Sequence, residues 1–454
     1  MDDQLSLPGM EAAGLPAPAG PREFDLSLPP RLRLVDRSQA RFMPCSLDQT
    51  LPPDHVARLV WDFVSSLPMK VFEDKVAARG SAPGRAATDP RIQLTLWIYA
   101  GIRGIGNGRE IDRLVECDDG FRWIAGGVSL DYHIINDFRV DHQDAFEHVF
   151  ITTVVALVSA GLIEVTRLGQ DGLRLRASAG SDSFRRDKSL KELLEDARAH
   201  LAALKKQTEK EYISKKEAKQ LADANDRVKR LELAAQLLPQ LQESMDASAK
   251  RRCEEAKEAR VSTTDPDARR MKMPDGGTRP AYNVQLAADV KSRAIVGVDV
   301  TSEGVDYEQA TPMREQVEET TGAKVKEHLV DGGYASLKTI DEGEKAGTTM
   351  YAPVSKKCQN RNPDADPYAR KKNDTDEILA WRQRMKTAEA KTIYNQRGST
   401  IETINGDLAE HRGLRRLRVR GPTKVRCVVL LPALVYNLLQ FENVLIAALI
   451  AKKS

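Results

Sequence analysis

The sequence predicts an all-helical N-terminal part followed by an α/β core that is interrupted by a helical hairpin. Three observations predict it. Residues from about 50 to 162 carry apolar residues at helical spacing and show no strand alternation. At Leu168 the period changes to two, with Leu173, Leu175 and Ala177 alternating with Arg174 and Arg176. From about 188 to 260 a highly charged helical pattern returns before strands resume at Tyr282.

Each segment has its own local signals. Residues 1–30 are rich in Pro, Gly and Ala and read as a disordered leader. The helical domain is expected over 31–162. Thr88-Asp89-Pro90 is a helix start, a capping residue followed by Pro in the first turn, and the nearly continuous apolar run Ile92–Ile102 makes that helix central. Gly104, Gly106 and Gly108 then break the chain; they follow a helix rather than a strand, so they are no nucleotide loop. Tyr132–Arg139 reads as a recognition helix or, through Ile134, Ile135 and Phe138, as a core helix. The core is expected over 163–180 and 262–440. Within the insertion, 181–261, the stripes Leu190-Leu193-Ala197-Leu201-Leu204 and Leu221-Ala224-Val228-Leu231-Ala235-Leu238 predict two antiparallel helices. Strands follow at 282–289 and 294–300, then a helix over 307–319 with Asp306 and Gln309 as its capping box. A short strand ends at Asp331, a helix spans 336–346, a strand 349–352 and a helix 375–388; another helix begins near Ser399, and 441–454 is a helical tail. Without the hairpin the order is that of a ribonuclease H-like α/β core.

Composition narrows the class. A chain of 454 residues allows about three domains at roughly 150 residues each. The five cysteines form no C-x-x-C pair, which argues against a disulfide framework and a zinc site. The seven histidines show no metal spacing. The apolar tract 425–450 is broken by Pro432, Asn437 and Glu442 and reads as buried helix rather than a membrane span. Net charge is only +3, but Arg412, Arg415, Arg416, Arg418, Arg420, Lys424 and Arg426 follow one another with no acid among them.

Three acids are candidates for chemistry. Asp171 lies on the apolar parity of its strand, where an uncompensated carboxylate is costly and a cation is one remedy; a solvated edge position is the other reading. Asp331 ends an apolar strand before Gly332-Gly333, at the carboxyl end where α/β sheets bind ligands, or it caps the turn. Glu402 either serves the site or closes the capping box Ser399-Thr400-Ile401-Glu402. Together they offer hard oxygen donors that suit Mg²⁺ or Mn²⁺, and a pair of such ions can clamp both oxygens of a phosphoryl displacement.

In these segments the sequence resembles bacterial insertion-sequence DDE transposases of the group with a Tyr-x-x-Arg signature before the glutamate. The resemblance is carried by Gln170-Asp171-Gly172, Asp265-Pro266-Asp267, Pro280-Ala281-Tyr282-Asn283-Val284-Gln285, Val330-Asp331-Gly332-Gly333-Tyr334, and Tyr394-x-x-Arg397 with Glu402. The helical stretch Gly104 to Phe138 is similar to the family's N-terminal domain, and the likeness spans roughly 30–440. It implies metal-dependent cleavage at transposon ends and transfer of the 3′-hydroxyl into target DNA. It also implies Asp171, Asp331 and Glu402 as catalytic residues and ligands of two Mg²⁺ ions, with Mn²⁺ able to substitute. Tyr394, Arg397, Arg412, Arg415, Arg416, Arg418 and Arg420 are expected to contact DNA. The partners implied are double-stranded DNA, as terminal inverted repeats and as target, and further copies of the chain in a homodimer or higher assembly; no membrane is expected, and the location is cytoplasmic, at the nucleoid. The family commonly has Lys or Arg seven residues after the glutamate and an apolar residue three after it; here these are Ala409 and Asn405. A purely hydrolytic nuclease and an inactive DNA-binding regulator are the alternatives.

Overall fold

The computed structural model describes residues 46–79, 86–207, 214–252, 255, 257–356, 360, 364–442 and 444. The expected leader over 1–30 and most of the 441–454 tail lie outside them.

The first seven helices are α1 (Val56–Ser66), α2 (Lys70–Glu73), α3 (Pro90–Ile102), α4 (Gly108–Cys117), α5 (Asp119–Ala125), α6 (Tyr132–Asp141) and α7 (Gln143–Ser159). Their starts follow from local chemistry. Asp89 accepts the Arg91 N–H at 2.8 Å with Pro90 in the first turn of α3, and Asp131 caps α6 through the His133 and Ile134 N–H groups. Helix α3 is buried along almost its whole length, as its unbroken apolar run requires. Ile135 and Phe138 of α6 point into the core while Ile134 is exposed.

A mixed α/β part follows. Its strands are β1 (Arg167–Arg176), β2 (Phe184–Arg185), β3 (Val261–Ser262), β4 (Arg269–Lys272), β5 (Thr278–Asp289), β6 (Ile295–Thr301), β7 (Glu327–Leu329) and β8 (Thr349–Tyr351). In the main sheet β6 pairs with β5, β5 with β1, β1 with β7 and β7 with β8; β4 flanks the first half of β5. The pairings among β4, β5, β6 and β1 are antiparallel, and those of β1 with β7 and β7 with β8 are parallel. The helices here are α8 (Asp187–Gln207), α9 (Lys215–Arg252), α10 (Ala310–Thr321), α11 (Leu337–Lys345), α12 (Asp376–Lys386), α13 (Ala388–Arg397), α14 (Thr403–His411) and α15 (Pro422–Gln440).

One apolar core runs through both parts. Trp97 and Leu96 of α3, Val149 of α7, Val284 and Leu286 of β5, and Val429 and Val435 of α15 belong to it. Helix α15 lies between the N-terminal helices and the sheet; a Cβ on Gly101 would come within 2.9 Å of Val435 Cγ2, so α3 and α15 are in close contact. Helix α15 is the one described helix long and apolar enough to cross a membrane, and here it is mostly buried within the protein. A second cluster, around Tyr334, Ile340, Met350 and Trp381, packs α11 and α12 against β7 and β8. The insertion has a third, with Leu190, Leu201, Val228 and Leu238 at its centre. It leaves and rejoins the core beside the β2–β3 pair, where Phe184 faces Ser262.

Three local expectations are corrected. Helix α10 begins at Ala310 and not at Tyr307, and Asp306 does not cap it; its carboxylate accepts hydrogen bonds from Asn283 and Gln285 instead. No helix starts at Ser399. Helix α13 runs into a π-helical turn, Gly398–Glu402, and on into α14, so Ser399-x-x-Glu402 is not a capping box. Tyr394 and Arg397 accordingly lie on a helix rather than in a connection before one. Trp381 is buried, with its indole N–H on the Ala352 carbonyl at 3.2 Å.

Candidate active site

The register of the two parallel strands places the aspartates. Gly169 of β1 pairs with Leu329 of β7. Asp171 and Asp331 each stand two residues further along, on the parity of that pair, so the middle of β1 and the turn just past the carboxyl end of β7 present them side by side. The Gly172 N–H reaches Asp171 Oδ1 at 3.0 Å and the Gly333 N–H reaches Asp331 Oδ1 at 2.7 Å. A side chain at either glycine would crowd the polar groups of the site. A Cβ on Gly172 would lie 2.6 Å from Asp306 Oδ1, and one on Gly333 would lie 2.9 Å from Asp331 Oδ1.

Glu402 arrives from the helical side. A π-turn brings residues five apart onto nearly one face, and Arg397 and Glu402 are five apart. Arg397 Nη2 donates to Glu402 Oε1 at 2.7 Å, while Nη1 lies 3.4 Å from Asp171 Oδ2. Arg397 thus connects two of the three acids. Burial works against its charge, but Asp171, Tyr394 and Glu402 outweigh it and hold the guanidinium above its ordinary value. Asn405, one helical turn after Glu402, donates Nδ2 to Asp171 Oδ2 at 3.2 Å.

Asp171 is the electrostatic centre. Burial pushes its carboxyl up to about 6; Arg397 and the Gly172 N–H oppose this, while the charges of Asp331 and Glu402 add to it. Under the acids lies a buried polar network. Tyr334 Oη donates to Gln285 Oε1, Gln170 Nε2 donates to the same oxygen at 3.0 Å, and Gln285 Nε2 reaches Asp306 Oδ1 at 2.9 Å. The sequence offered one signal for it: Asn283 and Gln285 are polar at alternate positions of a strand that is otherwise buried and apolar.

The donors suit a hard divalent cation. They are carboxylate oxygens, and the Asn405 Oδ1 beside Asp171 is buried without a hydrogen-bond partner. Among the described residues no three acidic, His or Cys side chains converge on one point as they stand; Arg397 supplies the positive charge between Asp171 and Glu402.

The basic segment divides. Arg412 is partly buried, pairs with Asp407 at 3.0 Å and donates to the Gly101 and Ile102 carbonyls, so it clasps α14 to α3. Arg426 bridges Glu147 and Asp299. Arg415 pairs with Glu410. Arg416, Arg418 and Arg420 are exposed.

Two families match the chain. The Transposase DDE domain matches residues 245–438, and the Transposase domain (DUF772) matches 45–141. The chain belongs to the DDE transposases of insertion sequences. It is a DNA transposase, an enzyme of DNA cleavage and strand transfer. No curated protein matches it. The matched core of the transposase contains Asp331 and Glu402, whereas Asp171 lies upstream on β1, separated from the other core strands by the insertion. The helical N-terminal part and mixed α/β part of the transposase fit its family, whose DDE domains are generally divalent-metal dependent.

Proposed function

We propose that the transposase performs both of its reactions at Asp171, Asp331 and Glu402, on a ribonuclease H-like core. The strand order β6-β5-β1-β7-β8, three antiparallel strands followed by two parallel ones, supports that core. The observation that carries the site is the register: Asp171 and Asp331 follow the Gly169–Leu329 pair by the same two residues, and Arg397 draws Glu402 to them.

The three carboxylates would hold two Mg²⁺ ions, with Mn²⁺ able to substitute. Such ions, when bound, acidify water and neutralise charge on the phosphodiester. Asn405 and the Gly172 N–H fix the Asp171 carboxylate, and the Gly333 N–H fixes that of Asp331, so these groups are oriented before DNA arrives. In the first reaction water attacks a phosphorus at the transposon end and the 3′-oxygen leaves as a hydroxyl. In the second that hydroxyl attacks a target phosphorus, and the target's 3′-oxygen leaves. Tyr394, Arg397, Arg415, Arg416, Arg418 and Arg420 contact the DNA, while Arg412, expected beside them, is taken up by Asp407 and the end of α3, and the helical part, residues 31–162, reads the terminal inverted repeats. The working form is a homodimer or higher assembly on double-stranded DNA, in the cytoplasm at the nucleoid.

The test uses a duplex carrying the terminal repeat, uncut or pre-cut, with Mg²⁺. Nicking and joining are expected, and both should vanish with a chelator or with Asp331→Asn. Nicking that survives Asp331→Asn would sink the assigned site; hydrolysis without joining of the pre-cut end would leave a nuclease.

A further inference from the structure

A cleft of about 700 Å³ opens where α6, the insertion helix α9 and the segment leading into α15 meet. It brings like charges together. Arg139 of α6 is buried; burial first, and Arg418 second, push its guanidinium down to about 10. It stacks on Trp97 at 4.1 Å and donates Nη1 to the Gly106 carbonyl, while Nε has no partner and no carboxylate pairs with it among the described residues. In the same cleft Arg230 of α9 is lowered by burial and then by Arg420, and its Nε is also unpartnered. Crowding guanidinium groups in a partly desolvated cleft is unfavourable unless an anion joins them.

The acids of the cleft offset only part of this charge, although Asp223 acts on Arg230 and Asp265 on Arg420. Asp226 pairs with Arg230. Asp265 accepts from the Tyr282 hydroxyl and the Gly421 N–H, and Asp267 lies beside Arg269. Asp137 stands exposed. The Tyr132 ring, with Arg109 stacked at 4.7 Å, adds an aromatic face of the kind on which nucleic-acid bases stack.

We propose that this cleft holds the backbone of a DNA strand, with Arg139 and Arg418 forming one phosphate-binding pair and Arg230 and Arg420 another. The inference rests on the reading that the arginine segment contacts DNA, and it adds two groups outside that segment, one of them on the insertion. The insertion then acts as a wall of the DNA channel.

The test is fluorescence anisotropy of the full chain with a labelled duplex of arbitrary sequence over a salt series. Each phosphate contact adds roughly 0.9 to the log–log salt slope. Arg139→Gln and Arg230→Gln should each weaken binding several-fold and flatten the slope by about that amount. Asp226→Asn, which frees Arg230, should tighten it. If Arg418→Gln with Arg420→Gln weakens binding while folded Arg139→Gln and Arg230→Gln do not, the cleft is overturned and the arginine-segment reading stands. If none of them weakens it, both fall. Should Arg139→Gln fail to fold by circular dichroism, Arg230→Gln and Asp226→Asn decide: opposite signs support the cleft, and equal signs or no effect overturn it.

Discussion

Asp171 joins the chemistry of the site to the stability of the fold. Its carboxyl, ordinarily near 3.8, is pushed up to about 6, so the folded state disfavours the charged form. That cost is full above pH 6, shrinks as pH falls through this window and is gone below about pH 4. Asp171→Asn should therefore raise the unfolding free energy at pH 8 by up to about 3 kcal/mol while abolishing nicking, a trade of stability for function. Chemical denaturation at pH 8 and pH 4 checks this: the gap should close at the lower pH, and an equal gap at both would reject the account. A cation needs the ionised carboxylate and competes with the proton for it, so wild-type nicking should fall with pH, and at a lower pH when Mg²⁺ is raised. In the sequence Asp171 stood out by its place on the apolar parity of its strand and Asp331 as the end of an apolar run before two glycines, while Glu402 read equally as a helix cap. Arg397 was legible only as a contact for DNA, because its bond to Glu402 depends on a π-turn that no local pattern announces. The pattern Ser399-x-x-Glu402 reads identically whether a helix begins there or passes through.

Among the elements, β1, β6 and most of β5 could be read because their runs are long and two-periodic. Strand β4 and the start of β5 could not: Pro280 sits within that pairing, opposite Arg270, and proline removes a ladder donor and breaks the strand signal. Helix α13 was hidden because Ala388–Arg397 is polar on nearly every side. Helix α15 was expected to be buried, but its sequence did not say against what. The structure puts it along the free edge of β6, and one residue accounts for the fit. Asn437 is buried; its Oδ1 accepts the Ile295 N–H at 2.8 Å and its Nδ2 donates to the Ile295 carbonyl at 2.8 Å. The side chain thus stands in for a neighbouring strand. Asn437→Leu keeps similar bulk but strands both backbone groups, at about 1–3 kcal/mol each. A loss of about 2–5 kcal/mol is expected in urea unfolding. A loss below 1 kcal/mol would mean that the helix alone protects the edge.

At the scale of the whole molecule, the insertion separates β1, with Asp171, from β5 by about a hundred positions, and yet β1 and β5 pair along nine residues from Leu168–Asp289 to Arg176–Ala281. The fold tolerates this because the insertion closes on itself. Phe184 and Arg185 pair with Ser262 and Val261, so its two ends meet, and its helices bury their leucines against each other in a cluster separate from the main core. Loop-closure entropy grows only slowly with length, so such an interruption costs the sheet little. Replacing residues 187–258 with a short glycine-serine turn should therefore leave a folded transposase whose melting temperature moves by only a few degrees, as judged by calorimetry. The same deletion removes Arg230 and the α9 wall of the cleft. DNA affinity should fall several-fold with a flatter salt slope, while nicking at saturating protein and Mg²⁺ persists, because Asp171, Asp331 and Glu402 draw nothing from the hairpin. A deletion variant that cannot fold would show instead that the hairpin organises the β1–β5 pairing. One that binds DNA as the full chain does would remove the insertion from the DNA path.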